Sequence, residues 1–288
     1  MPATFTYPSA DGTPVTAYRW DPAARPRAIV QLTHGMGEHA RRYEHVAQAL
    51  TAAGYVVYAQ DHRGHGATAA PGAAGQVGAA GWLALVDDVG RLAAEARSGH
   101  PGIPLVLLGH SMGSFAVQQY LLDHSADIDA VILTGTALLD LREPPRDDGQ
   151  PRNLARPNDA FTPARTGYDW LSRDEAVVDA YIADPMCGFS IDGAARQQMY
   201  TSGLRFADPA ALGQLRPELP VYVAVGDKDP VNAGLTRVTP LPERLTAAGL
   251  TDVTLVVYPG ARHEVLNETN KDEVIAALIG WINRVTGP

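Results

Sequence analysis

Leu105-Val106-Leu107-Leu108-Gly109-His110-Ser111-Met112-Gly113 is the stretch from which the fold of this 288-residue chain is read. Four consecutive apolar residues fit a strand buried on both faces, as in a parallel sheet covered by helices. The turn Gly109-His110-Ser111-Met112-Gly113 follows, and after it residues 114–122 carry apolar side chains at helical spacing. Five loosely specified positions recur by chance, so the strand before and the helix after are what give a Gly-x-Ser-x-Gly turn chemical meaning. In that context Ser111 sits at the apex of a sharp, strained turn with its hydroxyl projecting from the sheet edge. Glycines two before and two after it let strand and helix converge, since neither has a Cβ to collide. The N–H of Met112, at the helix N-terminus, then faces the space beside the Ser111 oxygen, where partial positive charge favours an oxyanion.

Working outward, further strands are expected at 28–32, 55–59, 130–134, 220–225 and 253–257, with helices at 41–53, 83–97, 243–248 and 272–285. A turn at Asp11-Gly12 joins two short segments near the N-terminus as an antiparallel pair. Two antiparallel strands and six alternating with helices make a mostly parallel sheet with helices on both faces. The alternation breaks between 140 and 216, where prolines 144, 145, 151, 157 and 163 cluster among charges. That segment reads as an insertion over the C-terminal sheet edge, where ligands bind in open α/β folds. The core is then 1–139 with 217–288, and 140–216 is a cap or lid.

A serine hydroxyl is a poor nucleophile without an adjacent base. In this fold the order along the chain is nucleophile, acid, histidine. The loop after the last strand, Tyr258-Pro259-Gly260-Ala261-Arg262-His263, offers His263 at the same edge as Ser111. The loop after the preceding strand, Val225-Gly226-Asp227-Lys228-Asp229, offers two carboxylates, and spacing alone does not choose between Asp227 and Asp229. A second oxyanion donor is expected from Thr33-His34-Gly35-Met36-Gly37, through the N–H of Met36. His110 precedes the nucleophile and is expected to point away from it.

Composition narrows the alternatives. The net charge of −9 makes nucleic acid a poor partner. The single cysteine, Cys187, rules out an intrachain disulfide. No signal-like segment opens the chain and no run approaches membrane-spanning length, so a cytoplasmic protein is expected, with at most weak contact at a membrane surface. Gly35-Met36-Gly37-Glu38-His39-Ala40 with Asp61 also approximates a dinucleotide fingerprint, which would make the chain an oxidoreductase. That reading does not predict the serine turn or the late Asp and His loops. His34, His39, His62 and His65 fall on two neighbouring loops without accompanying ligand spacing, so no metal is expected, and no cofactor.

Three motifs in order, His34-Gly35-Met36-Gly37-Glu38-His39, Asp61-His62-Arg63-Gly64-His65-Gly66 and Gly109-His110-Ser111-Met112-Gly113, resemble the monoacylglycerol lipase and lysophospholipase-like group of α/β-hydrolases, often labelled "serine aminopeptidase". The resemblance implies an α/β-hydrolase fold, an eight-stranded sheet with an inserted helical lid. It implies Ser111 as nucleophile, His263 as base and Asp229 as acid, because the family's Gly-x-x-Asp falls on Gly226 to Asp229. Met36 and Met112 would supply the oxyanion N–H groups, and Glu38 and Arg42 would lie near a glycerol head group. The expected substrate is a small lipid-like carboxylic ester, with a peptidase on the same triad or a non-catalytic binding protein as alternatives. Within the lid, Phe161, Phe189 and Phe206, with Trp170, Met186 and Met199, are candidates for an acyl groove or for docking the lid; Phe161 and Phe189 are singled out for substrate contact.

Overall fold

The computed structural model describes residues 1–145 and 154–287. Eight strands form one sheet in the order β1-β2-β4-β3-β5-β6-β7-β8. They are β1 (Ala3–Pro8), β2 (Pro14–Trp20), β3 (Ile29–Thr33), β4 (Val56–Gln60), β5 (Leu105–His110), β6 (Ala130–Thr134), β7 (Val221–Gly226) and β8 (Val253–Tyr258). β1 pairs antiparallel with β2, and β2 antiparallel with β4; every other pairing is parallel. β5 lies in the middle, between β3 and β6, in the register Leu32↔Leu108↔Ile132.

The all-apolar strands are explained by what covers them. On β5, Leu105 and Leu107 belong to one core layer and Val106 and Leu108 to the other, so alternate side chains feed opposite faces. One layer is completed by α2 (Gly81–Gly99), α3 (Met112–His124) and α7 (Pro240–Ala247), through Trp82, Leu92, Phe115 and Leu245. The other is completed by α1 (Glu44–Ala52) and α8 (Lys271–Thr286), through Val46, Leu50, Val274 and Trp281.

Two helices differ from expectation for physical reasons. The segment 41–53 is not one helix: a 3-10 turn, Ala40–Tyr43, precedes α1. Asp61 Oδ1 accepts from Ala40 N at 2.9 Å, and that tether turns the chain before the helix starts. In α3, every residue from Met112 to Leu122 is buried. Its outer side meets α5 (Gly193–Gly203) of the insertion, where Gln119 Nε2 donates to Met199 O at 3.1 Å, while Gln119 Oε1 accepts from Trp82 Nε1 of α2 at 2.6 Å.

Among the described residues, the connection between β6 and β7 holds three α-helices, α4 (Glu175–Ala183), α5 and the short α6 (Pro209–Leu212). Each begins on an aspartate whose side chain caps the first turn: Asp174, Asp192 and Asp208 accept from the N–H groups of Ala176, Ala195 and Ala210. No described helix is long and apolar enough to cross a membrane.

Candidate active site

Ser111 sits between β5 and α3 with φ 51° and ψ −119°, one of three non-glycine residues at positive φ among those described. The conformation is over-determined. Ser111 N donates to Thr134 O on β6 at 2.9 Å, and Ser111 O accepts from Ser114 N at 2.9 Å and Phe115 N at 3.2 Å. A Cβ on Gly113 would lie 2.1 Å from Thr33 O, so α3 can cross the end of β3 only with glycine there. Strain of this kind, about 1–3 kcal/mol, persists where surroundings enforce it and is characteristic of functional turns.

His263 follows β8 in a buried loop, and its Nδ1 is 2.9 Å from Asp229 Oδ2. Asp229 Oδ1 accepts from Val231 N at 2.8 Å, which orients the carboxylate. Asp227, the other carboxylate on that loop, turns elsewhere: its Oδ1 accepts from Gly260 N at 2.7 Å and Lys228 Nζ lies 3.6 Å from its Oδ2. Ser111 and His263 line one cavity of about 630 Å³, counting space open at its mouth, together with Met36 and Met112. Met112 is the first residue of α3, where a helix N–H has no intrahelical partner.

His110 does not turn away from this cavity. It lines it, with its ring 4.9 Å from that of His263 and its Nδ1 3.0 Å from Thr134 Oγ1. Burial, and then the neighbouring His263, push its imidazole down to about 3, so it is a neutral packing partner at ordinary pH. On the other side the indole of Trp170 lies 4.8 Å from the His263 ring. Trp170 comes from the insertion, and the main chain beside it is bonded to the His263 loop: His263 N donates to Trp170 O at 3.3 Å and Glu264 N to Leu171 O at 2.8 Å.

Beneath the cavity lies a buried ion cluster in which Glu38 and Arg42 are joined by a third member, Glu264. Arg42 donates from Nη1 and Nη2 to the two oxygens of Glu264, at 2.7 and 2.9 Å, and from Nη1 to Glu38 Oε2 at 2.6 Å. Glu38 Oε1 accepts from Gly35 N at 2.6 Å and Tyr43 OH at 2.8 Å. Burial drives the Glu38 carboxyl upward against the pull of Arg42. Burial also opposes ionisation of Glu264, yet the Arg42 charge and its paired hydrogen bonds prevail and hold Glu264 at about 2. Glu38 and Glu264 border the cavity, whereas Arg42 lies behind them. Nothing in local spacing marks Glu264 as the partner of Arg42, 222 positions away.

The aromatic candidates separate. Trp170 and Met199 line the cavity. Phe161 does not; the Arg262 guanidinium stacks 4.5 Å over its ring. Phe189 does not either; it packs 5.0 Å from His65, under the turn that bonds to Gly37. Phe206 is in the main core and Met186 is exposed. The four loop histidines also divide. His34, His62 and His65 cluster, with His62 N donating to His34 Nε2 at 3.0 Å, while His39 leaves them to meet Asp184 at 2.9 Å. The dinucleotide reading fails on contact: a Cβ on Gly37 would lie 2.2 Å from Phe189 O, leaving no room for a pyrophosphate, and Asp61 is occupied by Ala40 N, Ala67 N and Tyr18 OH.

A mostly parallel eight-stranded sheet with a serine on the turn after its central strand, and Asp and His on the turns after the last two, defines an α/β-hydrolase. Residues 24–270 match the family model described as "Serine aminopeptidase, S33", and the chain belongs to that family. It is 35% identical over 274 residues to a monoacylglycerol lipase of Mycolicibacterium smegmatis, covering 91% of this chain and 90% of that one. It is 29% identical over 182 residues to the human monoglyceride lipase, covering 62% of this chain and 58% of that one. Among solved structures, a highly thermostable carboxyl esterase from Bacillus coagulans in complex with glycerol matches with a TM-score of 0.86 at 30% identity, covering 99% of each chain.

Proposed function

We propose that this chain is a serine hydrolase that cleaves carboxylic esters of lipid type, monoacylglycerols or lysophospholipids, through an acyl-enzyme. Ser111 Oγ attacks the ester carbonyl while His263 Nε2 takes its proton. Asp229 fixes the imidazole tautomer and stabilises the imidazolium that forms. The N–H groups of Met36 and Met112 hold the oxyanion; one such donor is worth about 2.7–4 kcal/mol in the transition state. His263 then protonates the leaving alcohol, and water enters to repeat the cycle on the acyl-enzyme. The observation that carries the reading is the 2.9 Å contact of His263 Nδ1 with the buried Asp229, His263 lining the cavity that a backbone-strained Ser111 also lines. Residues 140–216 act as the cap of this site and residues 1–139 with 217–288 as its core.

Lipid-type esters are favoured by the names of the relatives and by the apolar share of the lining, Phe115, Leu154, Leu171 and Met199 among it. The peptidase reading, carried by the family's name, needs an acidic group free to bind a peptide amine. Among the described residues, both bordering carboxylates, Glu38 and Glu264, are spent on Arg42. A p-nitrophenyl ester series of increasing acyl length, run beside aminoacyl-anilides, tests substrate class. Turnover should rise beyond the two-carbon ester and be absent on the anilides; the reverse ranking removes the ester reading. A fluorophosphonate probe should label the wild type and not Ser111→Ala, and equal labelling of both removes the nucleophile.

A further inference from the structure

His39, Asp184 and Cys187 come from two distant parts of the chain and meet at one point. His39 ends the loop after β3, just before the 3-10 turn; Asp184 and Cys187 belong to the turn that terminates α4 in the insertion. An imidazole nitrogen, a carboxylate oxygen and the thiol sulfur all lie within 4.8 Å of one another. His39 Nε2 is 2.9 Å from Asp184 Oδ2. The turn itself is held by Cys187 N donating to Asp184 O at 3.0 Å and by Met186 N donating to Asp184 Oδ1 at 2.8 Å. It is docked on the β3 loop by Gly188 N and Tyr181 OH, each 2.9 Å from Gly37 O. His39 is only 6% exposed, so its ring is held in place by its surroundings. None of the three lines the main cavity or has a part in ester cleavage.

We propose that His39, Asp184 and Cys187 form a binding site for one borderline-soft divalent cation of the zinc class, with three protein ligands and a fourth position for water. The donor set makes the choice of class. A thiolate with an imidazole suits zinc, whereas magnesium and calcium take oxygen ligands in larger numbers. A tetrahedral zinc site with ordinary bond lengths separates its ligand atoms by roughly 3.3–3.8 Å. The thiol therefore needs to close on the other two donors by on the order of 1 Å, while the 2.9 Å His39–Asp184 hydrogen bond opens slightly to admit the ion. Uptake replaces the thiol proton by the cation and releases that proton to solvent. The bound ion ties the end of α4 to the loop that carries Met36.

The test uses the full chain, stripped with a chelator and titrated with zinc against a chromophoric competitor. One equivalent should bind in the wild type and in the surface control His124→Gln, and His39→Ala and Cys187→Ser should each bind at least about tenfold more weakly. Cobalt provides an independent readout. A thiolate-to-cobalt charge-transfer band should appear in the wild type and be missing from Cys187→Ser, a one-atom change that leaves the fold intact even if His39→Ala does not fold. Equal zinc affinity in wild type and Cys187→Ser, or no thiolate band in the wild type, overturns the site and assigns any zinc uptake to surface histidines. Hydrolysis of a two-carbon ester by Cys187→Ser should match wild type, so this outcome is separate from that of the ester assay.

Discussion

The serine corner and the Asp169–Arg173 stretch of the insertion both border the candidate site, but they are built in opposite ways. The corner is local: β5, the turn and α3 are contiguous, and the neighbouring strand β6 supplies its outside hydrogen bond. The insertion stretch has local bonds, such as Leu171 N to Tyr168 O and Trp170 N to Asn158 Oδ1, but much of its support comes from residues 90 or more positions away. Besides the main-chain bonds at Trp170 and Leu171, Ser172 Oγ donates to Asn267 O at 2.9 Å and Arg173 Nε to Glu268 Oε2 at 2.8 Å. Arg262 Nη1 donates to Ser172 O at 3.1 Å and also to Asp169 O. The difference shows that this part of the insertion frames the loop that carries His263.

Four experiments break or sharpen this contrast. The largest effect is expected on the His263 side of the proposed triad. Asp229→Asn should slow ester turnover by about four orders of magnitude by fixing the wrong tautomer, whereas Asp227→Asn should cost far less; steady-state kinetics of the two decide the acid. Next, Arg42→Met leaves Glu38 and Glu264 buried without their counter-charge and should destabilise the fold by about 3–5 kcal/mol in urea unfolding at pH 7. Changing both carboxylates to glutamine in that background should return much of the loss.

Third, Trp170→Ala should lower kcat on a two-carbon ester by about 10- to 100-fold, because small misplacement of a catalytic group is costly. KM for so short an acyl group should barely move, and Trp170→Phe should restore most of the rate. A KM effect alone would mean that Trp170 acts only as a wall for the substrate. The last prediction concerns acid. His62, His65 and His110 are held by burial at about 3, 4 and 3, below the ordinary value of 6.5. The unfolded chain therefore takes up protons first, and stability is present above pH 6.5 and lost as pH falls toward 4. Each of the three removes about 1.4 kcal/mol per pH unit over that window. Melting temperatures at pH 7 and pH 5 check this, and a variant with His62 replaced by glutamine should show a shallower loss.

Local pattern was enough for the strands, the serine turn and the loop carrying His263, because burial on both sheet faces writes itself as uninterrupted apolar runs. It was weaker where tertiary contact overrides periodicity. Residues 41–53 have one helical pattern, yet the Asp61 tether divides them. Phe161 and Phe189 have the composition of an acyl groove, yet Arg262 and His65 hold them outside it. His110 was expected to face away, and the close approach of β5, β6 and the last loop turns it into the cavity.

By itself the sequence determined the α/β class, the central strand, and which serine and histidine stand at the C-terminal edge, since these depend on periodicity and on glycines required at contacts between chain neighbours. Spacing left Asp227 and Asp229 open, the motif resemblance pointed to Asp229, and the structure pairs that residue with His263; only the tertiary structure decided that Arg42 is shared by Glu38 and Glu264 and that Trp170 backs the histidine. Those choices are made by groups tens to hundreds of residues apart that must neutralise charge and satisfy hydrogen bonds where water is excluded. No local pattern records which partner reaches first.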